Sequence, residues 1–301
     1  MALTNPQPNS KEQTAGPQFD PAPSQFRMVM RRLMRNKASV AGTVIILILV
    51  TTAVFAPLLA PYDPIEQNVP GRFAKPSATH ILGTDELGRD IFSRIIAGTR
   101  LSLLSSLTAV SISLTLGVLI GLTAGYYRHA DAILMRLMDV LMAFPGILLA
   151  IAIVSALGPG LVNAMIAVGV QSVPSFARIT RAQVLSIRQM EYITAVKATG
   201  AQDFRILWRH VLPNASAPII IYTTLNLATA ILSASVLSFL GLGASPPTPD
   251  WGSMVSTARQ FLFNYPHVAL FPTLAIFITV LAFNFLGDGL RDALDPRLKD
   301  V

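Results

Sequence analysis

The sequence predicts an all-α, polytopic membrane protein: six transmembrane helices, with a charged cytoplasmic loop between helices four and five. Three observations predict this. Only 13% of the 301 residues are charged while 52% are hydrophobic, whereas soluble domains carry roughly 25% charged residues. The mean hydropathy is positive, +0.55. Finally, long charge-free runs alternate with short polar segments, and the Lys and Arg residues collect in every second segment. A net charge of +7 raises the question of nucleic acid, but the cations are interspersed among apolar runs and form no aromatic-studded stripe. With no cysteine, disulfides, thiolate metal sites and a Cys nucleophile are excluded.

In chain order, residues 1–25 are rich in Pro, Gln, Ser and Asn. They hold almost nothing to bury and read as a disordered cytoplasmic tail. No cleavable signal fits, because the first apolar run starts only after Lys37 and is too long for one. Residues 26–60 form a basic segment and helix one. Arg27, Arg31, Arg32, Arg35 and Lys37 precede the charge-free run from Ala38 to Ala60, long enough to cross a hydrocarbon layer of roughly 30 Å. Residues 61–98, broken by Pro61, Pro64 and Pro70, read as an extracytoplasmic loop. Within it, Gly83, Thr84, Asp85, Gly88, Arg89 and Asp90 form a compact motif. A Gly- and Asp-rich turn followed by an interfacial helix capped by Asp90 is one reading; a surface that receives an extracytoplasmic protein or gates an exit is the other.

Residues 99–290 hold the remaining five helices. Leu101–Tyr127 is helix two, with Gly117, Gly121 and Gly125 on one face. Such glycines allow close helix approach in lipid, within this subunit or between subunits. Helix three starts near Ile133. Asp139 can pair with Arg136 three residues before it, and Pro145 should kink the helix. Leu157-Gly158-Pro159-Gly160 separates helices three and four, helix four ending near Ala177. Helix five spans about Ala215 to Leu240, and the loop GLGASPPTPDWGS is too rich in Pro and Gly for regular structure. Helix six spans about His267 to Leu286, and residues 291–301 form a cytoplasmic tail.

Sorting the cations tests this topology. Of 23 Lys and Arg residues, 17 fall on segments assigned inside and six outside, the latter being Arg72, Lys75, Arg89, Arg94, Arg100 and Arg259. Both termini are therefore expected in the cytoplasm.

No G-x-x-x-x-G-K-[ST] phosphate loop, H-E-x-x-H or G-x-S-x-G occurs, so an enzyme with its own ATP site is not expected. Beyond Asp139 the helix interiors lack ionisable residues, which weighs against ion-coupled transport. Energy must then come from a partner. The stretch from Glu191 to Asn214 is the one cytoplasmic segment large enough to receive it. Two short helices joined at Gly200 are expected there: Ala195 and Ala198 permit close approach, Phe204, Ile206, Leu207 and Trp208 supply apolar anchors, and Lys197, Arg205 and Arg209 pair with rim acids. An amphipathic segment lying on anionic lipid is the competing reading.

TAVKATG, nine further residues and HVLP resemble the EAA loop of ABC importer permeases, whose pattern is E-A-A, three residues, Gly, nine residues, Ile, one residue, Leu-Pro. Thr194, Ala195 and Val196 take the E-A-A places, Gly200 the glycine, and Leu212 and Pro213 the final pair. Thr194, Val196 and His210 depart in identity, and Glu191 is the nearest acid to the missing carboxylate. RRLMRNKASVAG, FAPLLAPYDP, GTDELGRDIFSRIIAGTRLSL, ILMRLMDVLMAFP, GASPPTPDWGSM and LGDGLRDALDPR are similar to the C-type permease subunit of dipeptide, oligopeptide and nickel ABC importers. The resemblance implies a MetI-like permease core on helices two to six, in the bacterial cytoplasmic (inner) membrane, with no cofactor on this chain. It implies a homologous B-type permease, two cytosolic ATPases carrying ATP and Mg, and an extracytoplasmic substrate-binding protein as partners. It further implies that Glu191, Thr194, Ala195, Val196, Lys197, Ala198, Gly200, Ala201, Asp203, Phe204, Arg205, Leu212 and Pro213 form the ATPase-coupling loop. A secondary transporter, a channel or a membrane scaffold is the alternative.

Overall fold

The computed structural model describes residues 25–294. The proposed tail before Gln25, and Arg297 and Lys299 of the C-terminal tail, lie outside the described residues. Within these bounds the chain is built from helices. The basic segment is itself a helix, α1 (Gln25–Arg35), followed after one residue by α2 (Lys37–Val54). Asn36 makes the break: its backbone is extended, and its Oδ1 accepts from the N–H groups of Ala38 at 3.0 Å and Ser39 at 3.3 Å, satisfying donors that the first turn leaves unpaired. The first span is shorter than the apolar run suggests. It stops at Phe55, where the short α3 (Ala56–Leu59) begins with Pro57 in its first turn; the run to Ala60 is apolar enough for lipid, but Pro57 has no N–H to continue the ladder.

The loop from Ala60 to Asp90 has one 3-10 turn, Val69–Gly71, and a bridge between Thr84 and Asp90. Asp90 caps α4 (Ile91–Tyr126), accepting from Ser93 N–H at 2.8 Å. The expected interfacial helix is therefore continuous with helix two. α5 (Arg128–Met142) and α6 (Gly146–Leu157) follow, with a bend of 92° between them. The expected kink at Pro145 is thus a full break, because Pro145 is the residue on which α6 begins. α7 (Leu161–Ile187) does not stop near Ala177. It runs ten residues further, carries Pro174 inside, and holds Arg178 and Arg181 within the helix. The remaining helices are α8 (Glu191–Ala198), α9 (Asp203–Ile206), α10 (Leu212–Phe239), α11 (Trp251–Ala258) and α12 (Pro266–Leu294).

Two further boundaries differ from expectation. Trp251-Gly252-Ser253 is helical, because Asp250 caps α11 by accepting from Ser253 N–H at 2.9 Å. Gly252 is there for closeness: a Cβ on it would press into the Ser235 backbone of α10. The last span also continues through Gly287, Asp288 and Arg291 to Leu294.

Among the described residues, four helical stretches are long and apolar enough to cross a membrane: Lys37–Val54, Ile91–Tyr126, Asp203–Phe239 and Pro266–Leu294; the bent α5–α6 pair makes a fifth if it is one span. α7 falls outside this set because Gln171, Ser172, Arg178, Thr180 and Arg181 lower its hydropathy. Its two arginines are tolerated because each has an acid opposite, Asp139 for Arg178 and Asp131 for Arg181. Val168, Phe176, Ala177, Thr180 and Val184 are almost fully buried, so that face of α7 packs on protein. α4 and α7 make the most extensive helix pair, α10 packs on both, and α2 and α12 pack together alongside α10.

Candidate functional site

The segment expected to couple to a partner begins at Met190, whose extended backbone starts α8 with Glu191 in the first turn and Lys197 in the last. Both charges suit the helix dipole. The helix ends as Thr199 N–H returns to Ala195 O at 3.2 Å and Gly200 N–H to Lys197 O at 2.9 Å. Gly200 sits at φ +81, and a Cβ built on it meets nothing within 4 Å. Conformation, not space, demands glycine here. The second element is longer than expected. α9 passes through a π-helical turn, Leu207–Val211, directly into α10, with Leu212 N–H donating to Leu207 O in the wider register. Only Leu212 separates this turn from Pro213, which lacks a ladder donor, and the wider register is how the helix passes the proline without stopping.

Four side chains hold the hairpin to the bundle. Ile193, Ile206, Leu207 and Val211 are buried and join Leu122, Val184 and Ile187 in one cluster. Of the four expected apolar anchors, Ile206 and Leu207 are therefore turned inward, and only Phe204 (71% exposed) and Trp208 (45%) face out. The outer surface includes Glu191, Thr194, Ala195, Lys197, Ala198, Asp203, Phe204 and Arg205, with Val196, Ala201 and Leu212 half-buried and Pro213 exposed. Small residues beside an aromatic knob on a short helix pair make a surface that a groove on another protein can enclose.

Polar contacts that the sequence does not announce tie together the hairpin and the helices around it. Tyr126 Oη donates to Asp203 Oδ1 at 2.6 Å, and Lys197 Nζ lies 4.9 Å from the centre of the Tyr126 ring. Asn214 Nδ2 donates to Tyr192 Oη at 3.2 Å and to His210 O at 2.7 Å. Arg188 Nη1 caps the end of α4, donating to Gly125 O at 2.9 Å and Tyr126 O at 3.1 Å. Arg181 grips Asp131 with two bonds of 2.6 Å. Asp139 pairs with Arg178 of α7 at 2.6 Å, in place of the expected partner Arg136.

Comparison with known proteins follows the same lines. Residues 113–300 match the family described as binding-protein-dependent transport system inner membrane component, and residues 24–76 match the N-terminal TM domain of oligopeptide transport permease C. The chain belongs to this permease family. It is 48% identical over 300 residues to the dipeptide transport system permease protein DppC of Alkalihalophilus pseudofirmus, covering 99% of this chain and 97% of the relative. It is 49% identical over 276 residues to the glutathione transport system permease protein GsiD of Pectobacterium atrosepticum, covering 91% and 92%. Among solved structures, an inward-facing MetNI methionine ABC transporter superposes with a TM-score of 0.54 at 21% identity, over 68% of this chain and 96% of the other. That likeness supports the fold. The protein is a multi-pass inner-membrane permease subunit of an ABC importer.

The glycine stripe of this permease faces inward. A Cβ on Gly117 would meet Phe176 Cβ, one on Gly121 would lie 2.5 Å from Ala177 O, and one on Gly125 would lie 2.6 Å from Val184 Cβ. All three abut α7, so of the two uses considered, packing within the subunit is the one seen.

The motif in the loop before α4 is also turned inward. Thr84, Asp85, Arg89 and Asp90 are each no more than 4% exposed. Asp85 Oδ1 accepts from Leu87 N–H at 2.9 Å and Arg89 N–H at 3.0 Å, while Oδ2 accepts from Arg89 Nε at 2.7 Å and lies 3.5 Å from Arg94 Nε. Thr84 Oγ1 donates to Gly71 O at 2.6 Å, and Asp90 Oδ1 meets His80 Nδ1 at 2.9 Å. Gly83 and Gly88 take φ +79 and +75, and a Cβ on Gly88 would strike the Asn68 carbonyl. These residues fold the loop upon itself, and in this conformation their side chains offer little to a docking protein. Glu86, half-shielded beside them, has its carboxyl pushed above the ordinary 4.5 by burial and by the Asp85 charge, against the pull of Arg89 and Arg94.

Proposed function

We propose that the α8–α9 hairpin is the surface through which a cytosolic ATPase drives this permease. The observation that carries this reading is the hairpin's division of labour. Ile193, Ile206, Leu207 and Val211 root it in the bundle, while Ala195, Ala198 and Phe204 stand open on either side of the Gly200 bend. A load applied to the open face passes along α9 and the π turn into α10 as one body, and through Tyr126 into α4.

In this reading the chain crosses the membrane six times, by α2, α4, the α5–α6 pair, α7, α9–α10 and α12, with both termini in the cytoplasm. The Lys and Arg distribution supports that sidedness. A homologous B-type permease completes the pathway, two ATPase subunits hydrolyse ATP, and an extracytoplasmic binding protein delivers cargo. This chain has no phosphate-binding loop of its own. The cargo proposed is a short peptide, as the names of the dipeptide and glutathione relatives suggest.

Gly200→Val is the test, in the complex reconstituted in proteoliposomes. A β-branched residue is strained at φ +81. Insertion should persist while transport and transport-coupled ATP hydrolysis are lost; undiminished coupling would remove the bend from the mechanism. Calorimetric titration of the cognate binding protein with dipeptides and with glutathione then decides the cargo class.

A further inference from the structure

The geometry points to α1 as a lipid-binding helix that lies on anionic phospholipid headgroups of the inner leaflet. α1 (QFRMVMRRLMR) contains no acidic residue. Met30 and Met34 are four apart and share one face; they are 44% and 67% exposed. Arg31 and Arg35, also exposed, repeat at the same spacing on the adjoining face, and exposed Lys37 follows. A strip of unbranched apolar side chains beside a strip of guanidinium groups is suited to a boundary between hydrocarbon and phosphate.

The position of the helix fits the same conclusion. Asn36 has φ −87 and ψ 109, so α1 leaves the direction of α2, an apolar span that begins one residue later. α1 is thereby held at the level where a span meets water. Two contacts with α12 hold it there. Asn36 Nδ2 donates to Asp292 Oδ2 at 3.2 Å, and Leu33 Cδ1 lies beside Gly289, 3.3 Å from where a Cβ would stand. With Leu33 on α12, the methionine strip stands open among the described residues, while the arginines present charge complementary to phosphate. Lipid is favoured over a protein groove because the methionines and cations are adjacent at the edge of a span. The inference rests on the cytoplasmic placement of α1 proposed above.

The chain has no cysteine, so Met34→Cys gives it a single labelling position. A nitroxide there, in the complete importer, is compared in proteoliposomes of phosphatidylethanolamine with phosphatidylglycerol and of phosphatidylcholine alone, with the signal of the unsubstituted complex subtracted. Collision with oxygen against a water-soluble nickel chelate reports depth. The label should be shielded from water only in the anionic vesicles. Arg31→Gln with Arg35→Gln should return it to water, weakening the association about fivefold per charge removed. Equal accessibility in the two lipids, whether shielded or open, overturns the proposal, and so does shielding that requires only the ATPase subunits. Sidedness is read separately: modification of Met34→Cys by an impermeant thiol reagent outside intact cells would mean the topology itself is wrong.

Discussion

The phenol of Tyr126, at the end of α4, donates a 2.6 Å hydrogen bond to Asp203, the first residue of α9, across 77 positions of sequence. The same ring carries Lys197 of α8 on its face, so one side chain meets both halves of the hairpin. Tyr126→Phe keeps the ring and the cation contact and removes only the bond to the carboxylate. Because that bond is near solvent, the loss should be about 1 kcal/mol in stability. Its larger effect should be a fall in transport per ATP hydrolysed, read by assaying both in the same proteoliposomes. An unchanged ratio would make the bond purely structural. Asp203→Asn should reproduce the phenotype, and the double variant should add little to either.

Gly121 lies where the α4 backbone meets Ala177, Thr180 and Arg181 of α7. Gly121→Leu should drive these central helices apart, costing about 3 kcal/mol or more, and leave little monodisperse protein on gel filtration in detergent. Gly146→Ala is the matched control. Its added methyl would come only to within 3.3 Å of the end of the Gln171 side chain, which can move aside, so yield and elution should be normal.

Which of these features the sequence discloses follows from the range of the forces involved. Apolar runs are local, and they mark α2, α4, α10 and α12 directly. The Gly200 bend is local as well, and lies where the helix formers of 191–199 stop. α7 is the counter-example. Its arginines resemble a loop, and their helical placement depends on Asp131 and Asp139 of α5 standing opposite, 50 and 39 positions away. The inward turn of Ile206 and Leu207 depends in the same way on Ile193 and Val184. Tyr126 carries no motif at all, and only the fold brings it to the hairpin, 77 positions away.

Arg181 and Asp131 join α7 to α5 by a two-bond pair, each side chain between a quarter and a third exposed. Arg181→Ala should cost about 1 kcal/mol, above the middle of the range for surface pairs because the geometry is bidentate. Thermal unfolding in detergent measures it, and raising the salt should shrink the difference between parent and variant. Arg181→Lys should recover only part, since one ammonium cannot make both bonds.

Asp85 and Glu86 are neighbours with opposite burdens. Asp85 accepts three hydrogen bonds from Leu87 and Arg89 and lies close to Arg94, and its own side chain and both guanidinium groups are nearly buried. Asp85→Asn removes the negative charge between two buried guanidinium groups and should cost about 3 to 5 kcal/mol, seen as faster hydrogen exchange across residues 60–90. Glu86 is different, because burial raises its carboxyl above 4.5 in the folded loop. A folded state that holds this proton more tightly than the unfolded chain is favoured at low pH, and the advantage is lost as pH rises from 4.5 through the raised value. Glu86→Gln keeps the acceptor for Arg89, now at 2.8 Å, and removes the titration. Exchange protection of residues 60–90 should therefore fall less between pH 4 and 7 in Glu86→Gln than in the parent. An identical fall in both would mean that the bond from Arg89 already offsets the burial of the charge.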